Sequence, residues 1–516
     1  MNDYPSIIAL QKATAAELGD RPAILLADRS VDFATFDRLS DRVAAFLATR
    51  GIAKGDRVGL YCINSDAFAI AYFGIVKAGA VVVPINLLLT AREAAYILKD
   101  ADARALVYFE AFAANAAAAA DELPGIAFTV RIGGEPSRPR EFAWPEALAC
   151  EAPCPVVDVD PAEDLVALIY TSGPTGRPKG AMLTHRNLAS NTWSIREALQ
   201  LTPGEDIFIT VLPMFHAFAA TVGMLFPLLH GCAFAPLPKF DPQLVADTIA
   251  RTKATMFAAV PSMYSVLMRL PDEAVAKFAS LTYCLSGGAA MPVELMKQFE
   301  EKFGKLVYEG DGPTECSPVT CVNPIGGKRK YASVGLAVSR VDMEIRNDHG
   351  EEIPRGEIGE ICVKGPNVMK GYWNQPEETA ANFFGEWFRT GDLGYEDEEG
   401  YFFIVDRKKD MLIVNGMNVY PRVVEEVLYQ HPAVHEAAVV GRRSELHGEV
   451  PIAYVSLKPD AAATEKELRA HCLANLGRYQ VPKQFHFLDQ LPKNAAGKIL
   501  KRELRRSGEE ERGIAG

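Results

Sequence analysis

Residues 165–180 read Leu165-Val166-Ala167-Leu168-Ile169-Tyr170-Thr171-Ser172-Gly173-Pro174-Thr175-Gly176-Arg177-Pro178-Lys179-Gly180. The apolar run from Leu165 to Tyr170 predicts a buried strand. Behind it come three glycines, the hydroxyls of Thr171, Ser172 and Thr175, and Lys179. Glycines let the backbone approach a bulky anion closely. Hydroxyls donate hydrogen bonds, and a lysine adds a point charge. These are the parts of a polyphosphate cradle at the end of a strand. The stretch is not a Walker A loop, because Pro178 stands before the lysine where that motif needs glycine. The same residue types also dominate ordinary turns, so the stretch alone leaves both readings open.

Outward from the cradle, apolar strands alternate with amphipathic helices. Phe36 to Arg50 has helical spacing, Arg57 to Cys62 reads as a strand, Ala67 to Lys77 as a helix, and Ala80 to Pro84 as a strand ended by proline. Such alternation predicts parallel sheet covered by helices. Pro136 to Pro155 reads as an irregular connection. After the cradle, Asn187 to Leu199 predicts a helix capped by Thr184 or Asn187. Strands are expected at Ile207–Val211, Thr255–Val260 and Leu281–Leu285. The last two run into loops at Pro261 and at Ser286-Gly287-Gly288-Ala289, where open α/β sheets bind ligands. Gly350–Gly365 and Gly394–Val405 predict hairpins of a β-rich region. The tail predicts a small α+β unit, with the boundary between Asp406 and Arg407. The expected fold is therefore α/β, with domains 1–406 and 407–516.

Further motifs carry chemistry. Gly310-Asp311-Gly312-Pro313-Thr314-Glu315 is a glycine turn with a carboxylate three positions on, and Mg²⁺ beside phosphates takes one or two carboxylates. Asp392, within Arg389-Thr390-Gly391-Asp392, could accept two hydroxyl hydrogen bonds at once, or simply be a turn residue. Arg407-Lys408-Lys409 is a basic cluster at the drawn boundary. Gly416, His216 and Lys498 stand in further loops.

Together these stretches resemble the acyl-adenylate-forming superfamily of acyl-CoA synthetases, luciferases and peptide-synthetase adenylation domains. TSGPTGRPKG is similar to its phosphate-binding signature, with Pro174 where a hydroxyl residue is usual. The resemblance implies that Thr171, Ser172, Gly173, Thr175, Gly176, Lys179, Gly288, Ala289, Gly310, Asp311, Gly312, Thr314, Asp392, Arg407 and Lys498 bind ATP or AMP. It implies Glu315 on Mg²⁺, His216 beside the acyl carboxylate, and Lys498 as the lysine that neutralises charge during adenylation. Lys409 matches the hinge about which the small domain turns, and Gly416 the glycine along which coenzyme A passes. Asp311 departs from the usual adenine-stacking tyrosine, so the aspartate is expected to face the base or solvent. Phe215, His216, Val260, Tyr264 and Gly287, with Phe218, Met224 and Met263, suggest an apolar acyl pocket.

The implied reaction is ATP-dependent ligation of a carboxylic acid, a medium- or long-chain fatty acid by preference, to coenzyme A through acyl-AMP. An aromatic-acid ligase, an enzyme loading a carrier protein, a fatty-acyl-AMP ligase and a non-catalytic nucleotide-binding scaffold are the alternatives.

The rest of the chain bounds this reading. A net charge of −12 argues against nucleic acid as a partner. The last 110 residues carry 18 Lys+Arg against 14 Asp+Glu, so a basic tail follows an acidic body. That suits a lid over anionic ligands, and equally an unevenly charged surface. The nine cysteines are scattered without a CxxC pair, which suits a reducing cytoplasm. No clean apolar run of about 20 residues is present, so no transmembrane segment is expected. A homodimer is compatible with this reading.

Overall fold

The structure, a computed structural model, describes residues 4–172, 178–444, 446–494 and 497–506. The cradle strand Leu165–Ser172 lies in a seven-stranded sheet. It runs parallel to Val81–Pro84, which continues in parallel through Arg57–Tyr61, Ala103–Phe109, Phe128–Ile132 and Glu141–Ala143. Pro178–Thr184 folds back antiparallel against the cradle strand. The helices Phe33–Thr49 and Asp66–Lys77 cover the sheet, each opened by a side-chain cap from Asp32 or Ser65.

A nine-stranded sheet forms the second layer. Its parallel centre is Ala233–Pro236, Ile207–Thr210, Met256–Ala259, Tyr283–Ser286 and Val307–Asp311. In its register Leu285 lies opposite Tyr308, and Ser286 opposite Glu309. Because side chains alternate along a strand, these two pairs point to opposite faces. Leu285 and Tyr308 join the core that also holds Leu188, Ile195 and Leu199 of the helix His185–Leu199. Cys284 and Val307 join a second core with Tyr264, Met296 and Phe299. The helix His185–Leu199 starts at Thr184, whose hydroxyl accepts from the Asn187 N–H at 3.2 Å.

Two five-stranded sheets follow. The first contains Asp342–Arg346, Gly359–Lys364, Trp387–Glu396 and Phe402–Arg407. The second contains Leu412–Val414, Met417–Val419, Gly448–Leu457, Val434–Ser444 and Gln484–Phe487, and it has its own core of Val424, Leu428, Val439, Val455 and Leu468. Asn415 and Gly416 make the two-residue turn between its first strands, with φ of 52° and 78°. Two consecutive positive φ values suit an Asn-Gly hairpin turn.

Two expectations are corrected. Residues 136–155 are not wholly irregular: Glu141–Ala143 adds an edge strand and Trp144–Leu148 a short helix. Trp144 and Ala147 are buried there, so the prolines punctuate structure rather than prevent it. Gly350–Gly365 is not a hairpin in itself, since its one long strand, Gly359–Lys364, pairs with Asp342–Arg346. No helix among the described residues is long and apolar enough to cross a membrane.

Candidate active site

The site gathers where the two large sheets present the C-terminal ends of their strands. Gly173, Thr175 and Gly176 lie outside the described residues, and of Ser172 only the backbone is described. Thr171 is the last residue but one of the cradle strand, and Lys179 stands opposite it on the returning strand. The Lys179 ammonium is buried, paired with Glu378, and 5.4 Å from the ring centroid of Tyr372. The Tyr372 hydroxyl donates to Glu315 Oε1 at 2.8 Å, and Thr171 Oγ1 donates to the same oxygen at 3.5 Å. Three separate stretches of sequence thus meet at Glu315, with hard oxygen donors around it. This donor set fits Mg²⁺, which prefers carboxylate and other oxygen ligands. Glu378 and Tyr372 escaped the sequence reading, because nothing local to residues 372–378 marks them.

Asp392 and Arg407 face each other across neighbouring antiparallel strands. Arg407 Nε lies 2.7 Å from Asp392 Oδ1, and Arg407 Nη2 donates to the Thr390 carbonyl at 3.1 Å. Asp392 holds the guanidinium above its ordinary pKa. Asp311 does not stand out in solvent. It lies within electrostatic reach of Asp392, Arg407 and Lys498, and it lines the cleft described below. Burial first, then Asp392, pushes its carboxyl up to about 6, against the pull of Arg407 and Lys498.

Lys498 comes from the C-terminal unit. Its loop is anchored where Ser262 Oγ donates to the Gly497 carbonyl at 3.1 Å. Asn494 Oδ1 accepts from the Lys498 N–H at 2.9 Å. Gly497 has φ of 78°, and a Cβ there would stand 2.5 Å from Ser262 Oγ. Burial lowers the Lys498 pKa, Arg407 adds to this, and Asp392 and Asp311 oppose it. The unit touches the large part again where Arg269 Nη2 meets His435 Nε2 at 2.9 Å and Ser265 Oγ meets His435 Nδ1 at 3.3 Å.

A cleft opens beside these groups. Ile195, Leu199, Val222, Leu285, Tyr308 and Val322 form much of its wall. Phe218, Gly287 and His216, proposed from the sequence as acyl-pocket residues, also border it, as do Gly288, Gly310 and Gly312, and among the described residues no lysine or arginine does. The expected wall residues Phe215, Val260 and Tyr264 do not line it, and neither do Met224 and Met263. Tyr264 is fully buried in the second core, with its hydroxyl on the Leu285 carbonyl at 2.8 Å. Phe215 packs in the first core, and Val260 meets the Gly288 and Gly497 backbones instead. His216 caps a short helix, its Nδ1 accepting from the Phe218 N–H at 3.4 Å. That bond leaves the ring proton on Nε2. Burial, aided by Lys498, pushes its pKa down to about 4, so the ring is neutral at pH 7.

Thr314 lies in the turn Thr314–Cys316 that carries Glu315, and Ala289 lies in the loop after Gly288. Lys409 is exposed in the turn after the strand Phe402–Arg407. Gly416 is exposed too, and a Cβ there would meet nothing within 4 Å. Its hairpin φ, not crowding, explains the glycine in this arrangement.

Gly312 is different. A Cβ there would fall 1.9 Å from the Pro318 carbonyl oxygen and 2.5 Å from its carbon. Backbone cannot rotate away as a side chain can. Gly312→Ala should therefore cost about 1–3 kcal/mol of stability, the range of overpacking, and weaken ATP binding by displacing the turn before Glu315. Thermal unfolding and ATP titration of the variant check this; an unchanged Tm with wild-type ATP affinity would contradict it.

Residues 11–373 match the family model of the AMP-binding enzyme, and residues 423–498 that of the AMP-binding enzyme C-terminal domain. The long-chain-fatty-acid–CoA ligase of Bacillus subtilis (strain 168) is 37% identical, over 98% of this chain and 96% of its own. The sulfoacetate–CoA ligase of Cupriavidus necator (strain H16) is 34% identical, over 97% of both chains. The crystal structure of ATP-bound MatB from Rhodopseudomonas palustris superposes with a TM-score of 0.89 at 34% identity, covering 98% of this chain and 99% of that one.

Proposed function

This chain belongs to the AMP-binding enzyme family and is an ATP-dependent, AMP-forming acyl-CoA synthetase; from that premise we propose that its acid is a medium- or long-chain fatty acid. The observation that carries this choice is the cleft, whose wall is mostly apolar and, among the described residues, holds no lysine or arginine to pair a second carboxylate or a sulfonate. Burying an apolar chain there is favourable by about 0.8 kcal/mol per methylene.

The geometry supports the following roles. The acid's carboxylate enters beside His216, whose Nε2–H donates to it while Nδ1 stays bonded to backbone. The carboxylate oxygen attacks the α-phosphorus of ATP, and the bond to the pyrophosphate oxygen breaks. Lys498 and Lys179 stabilise the negative charge that develops and departs, since fixed charges in a water-poor site act strongly. Lys179 exchanges Glu378 for phosphate as it does so. Mg²⁺ would be held by Glu315 and would neutralise phosphate charge. Asp392, paired with Arg407, accepts the ribose hydroxyls. Gly288, Ala289, Gly310, Gly312 and Thr314 bring backbone and hydroxyl donors around the nucleotide. In the second half-reaction the C-terminal unit, the residues beyond the strand Phe402–Arg407, turns about Lys409. Lys498 leaves, and the hairpin with Gly416 comes to border coenzyme A. The coenzyme A thiol attacks the acyl carbonyl, AMP leaves with the electron pair of the broken bond, and the thiol proton is released. The nine cysteines, all free, support work in the reducing cytoplasm.

A coenzyme A ligation assay across butyrate, octanoate, palmitate, cinnamate and malonate tests the substrate. From four to eight carbons, kcat/KM should rise up to about a hundredfold, the worth of four buried methylenes. A flat profile, or cinnamate ahead of octanoate, would overturn the fatty-acid reading.

A further inference from the structure

Lys179 and Glu378 are far apart in sequence and held together in space. The segment 370–373 is laid against the strand that carries Lys179. The Lys370 N–H donates to the Met182 carbonyl at 3.0 Å, the Met182 N–H to the Gly371 carbonyl at 2.9 Å, and the Trp373 N–H to the Gly180 carbonyl at 2.8 Å. Thr379 then folds the short helix Pro376–Ala381 back on this segment, its Oγ1 accepting from the Tyr372 N–H at 2.9 Å and donating to the Gln375 carbonyl at 2.9 Å. Glu378 is thereby aimed at Lys179. Its Oε1 takes the Lys179 ammonium and a hydrogen bond from Asn382 Nδ2 at 2.9 Å. The lysine side chain is 6% exposed and the glutamate side chain 32%. The cation is thus the group that cannot do without a partner, and the anion is the group that water can take back.

We propose that Glu378 is a positioning residue that competes with phosphate for Lys179. It holds the ammonium before ATP binds, yields it to the phosphates that will depart, and takes it back as pyrophosphate leaves. The Lys179 hydrogen bond holds the Glu378 carboxyl below its ordinary range, so it is ionised at neutral pH. An ammonium has three N–H donors, but a carboxylate and a phosphate gathered around it are like charges that repel at close range. Each phosphate bound at Lys179 therefore works against Glu378. The Tyr372 ring, 5.4 Å from the ammonium, is a partner that needs no exchange, since a ring face attracts a cation without carrying a net charge. It keeps the ammonium in place through the change. Without Glu378, the vacated site would hold an unpaired buried cation, and pyrophosphate would be bound more tightly and released more slowly. AMP carries neither departing phosphate, so its binding does not involve the exchange.

This inference rests on the proposed role of Lys179 at the departing phosphates, not on the choice of acid. Three variants test it. Glu378→Gln keeps the shape and an acceptor oxygen for Lys179 and Asn382, and removes the charge. Glu377→Gln removes a charge from the neighbouring, exposed position of the same helix. Lys179→Ala removes the cation itself.

Binding of pyrophosphate with Mg²⁺, and separately of AMP, is measured by titration calorimetry on the full chain. KM for ATP and product inhibition by pyrophosphate are measured alongside in acyl-CoA synthesis. Glu378→Gln should bind pyrophosphate about tenfold more tightly, the scale of one hydrogen bond to a charged group. KM for ATP should fall, inhibition by pyrophosphate should deepen, and AMP affinity should stay at the parent value. Glu377→Gln should resemble the parent, and Lys179→Ala should bind pyrophosphate more weakly. Unchanged or weaker pyrophosphate binding in Glu378→Gln, with Lys179→Ala weakened, would overturn the competition and leave the Lys179 assignment standing. Pyrophosphate affinity untouched in Lys179→Ala would remove that assignment and the proposal with it. An equal gain in both glutamate variants, or a gain for AMP as large as that for pyrophosphate, would mark a general effect of charge and would also overturn the exchange at Lys179.

Discussion

Lys498→Ala should lose acyl-AMP formation by a factor of about 10²–10³, some 3–4 kcal/mol of barrier, while transfer from preformed acyl-AMP to coenzyme A survives. The scale is that of removing one preorganised charge stabiliser. The structure explains why so much rests on one side chain. Lys498 lies within electrostatic reach of Asp392, Asp311 and Arg407, and its loop is pinned to Ser262 through Gly497. Its ammonium is thus fixed among the charged groups of the site, where it acts on a developing phosphate charge. Glutamine would not restore the reaction, because it brings reach without charge. Separate pyrophosphate-exchange and acyl-transfer assays check the split. Equal loss in both halves would remove Lys498 from the adenylation role.

Lys409→Pro should give the mirror image. Pyrophosphate exchange should persist near the parent rate, and acyl-CoA formation should fall by about 10²-fold or more, the scale of losing a committed conformational step. In the turn after Arg407, the hydrogen bonds run from Asp410 and Met411 to the Arg407 carbonyl, at 2.9 and 3.1 Å, and from Lys408 to the Gly391 carbonyl at 2.9 Å. The Lys409 N–H takes part in none of these, so proline removes no backbone bond from the docked arrangement. It does fix φ near −65° and restricts the residue before it. A hinge needs those angles to change. Retention of both activities would show that the rotation pivots elsewhere.

The layout of the site was legible because its residues sit at strand ends in short, chemically marked loops. Leu165–Tyr170 could only be a buried strand, and the groups after it had to emerge at its C-terminal end. What the sequence could not show was which face of a strand meets which neighbour. Tyr264 and Phe215 look like pocket residues by composition, yet each packs into a core. The wall of the cleft takes Ile195 and Leu199 from a helix and Val322 from a strand edge, and no local pattern links them. Glu378 and Tyr372 stayed invisible for the same reason: they matter through Lys179 and Glu315, far away in sequence. Glu309 carried a signal that was passed over. It stands in the strand Val307–Asp311, where charge is rarely buried unless it is paired.

The strand Phe402–Arg407 is stitched into the large part, and the next strand, Leu412–Val414, belongs to the C-terminal sheet. Only residues 408–411 lie between them, a reach of about 14 Å at full extension. The C-terminal unit is therefore never free in solution. It meets its docking face at an effective concentration set by a very short tether, in the millimolar range or above. A contact with a millimolar dissociation constant, about −4 kcal/mol, then already keeps the unit docked half the time. The sparse seams at Ser262 and Ser265 need be no stronger than that. A surface too weak to hold two separate proteins together is here strong enough to close the site, and weak enough to allow the release that the proposed rotation requires.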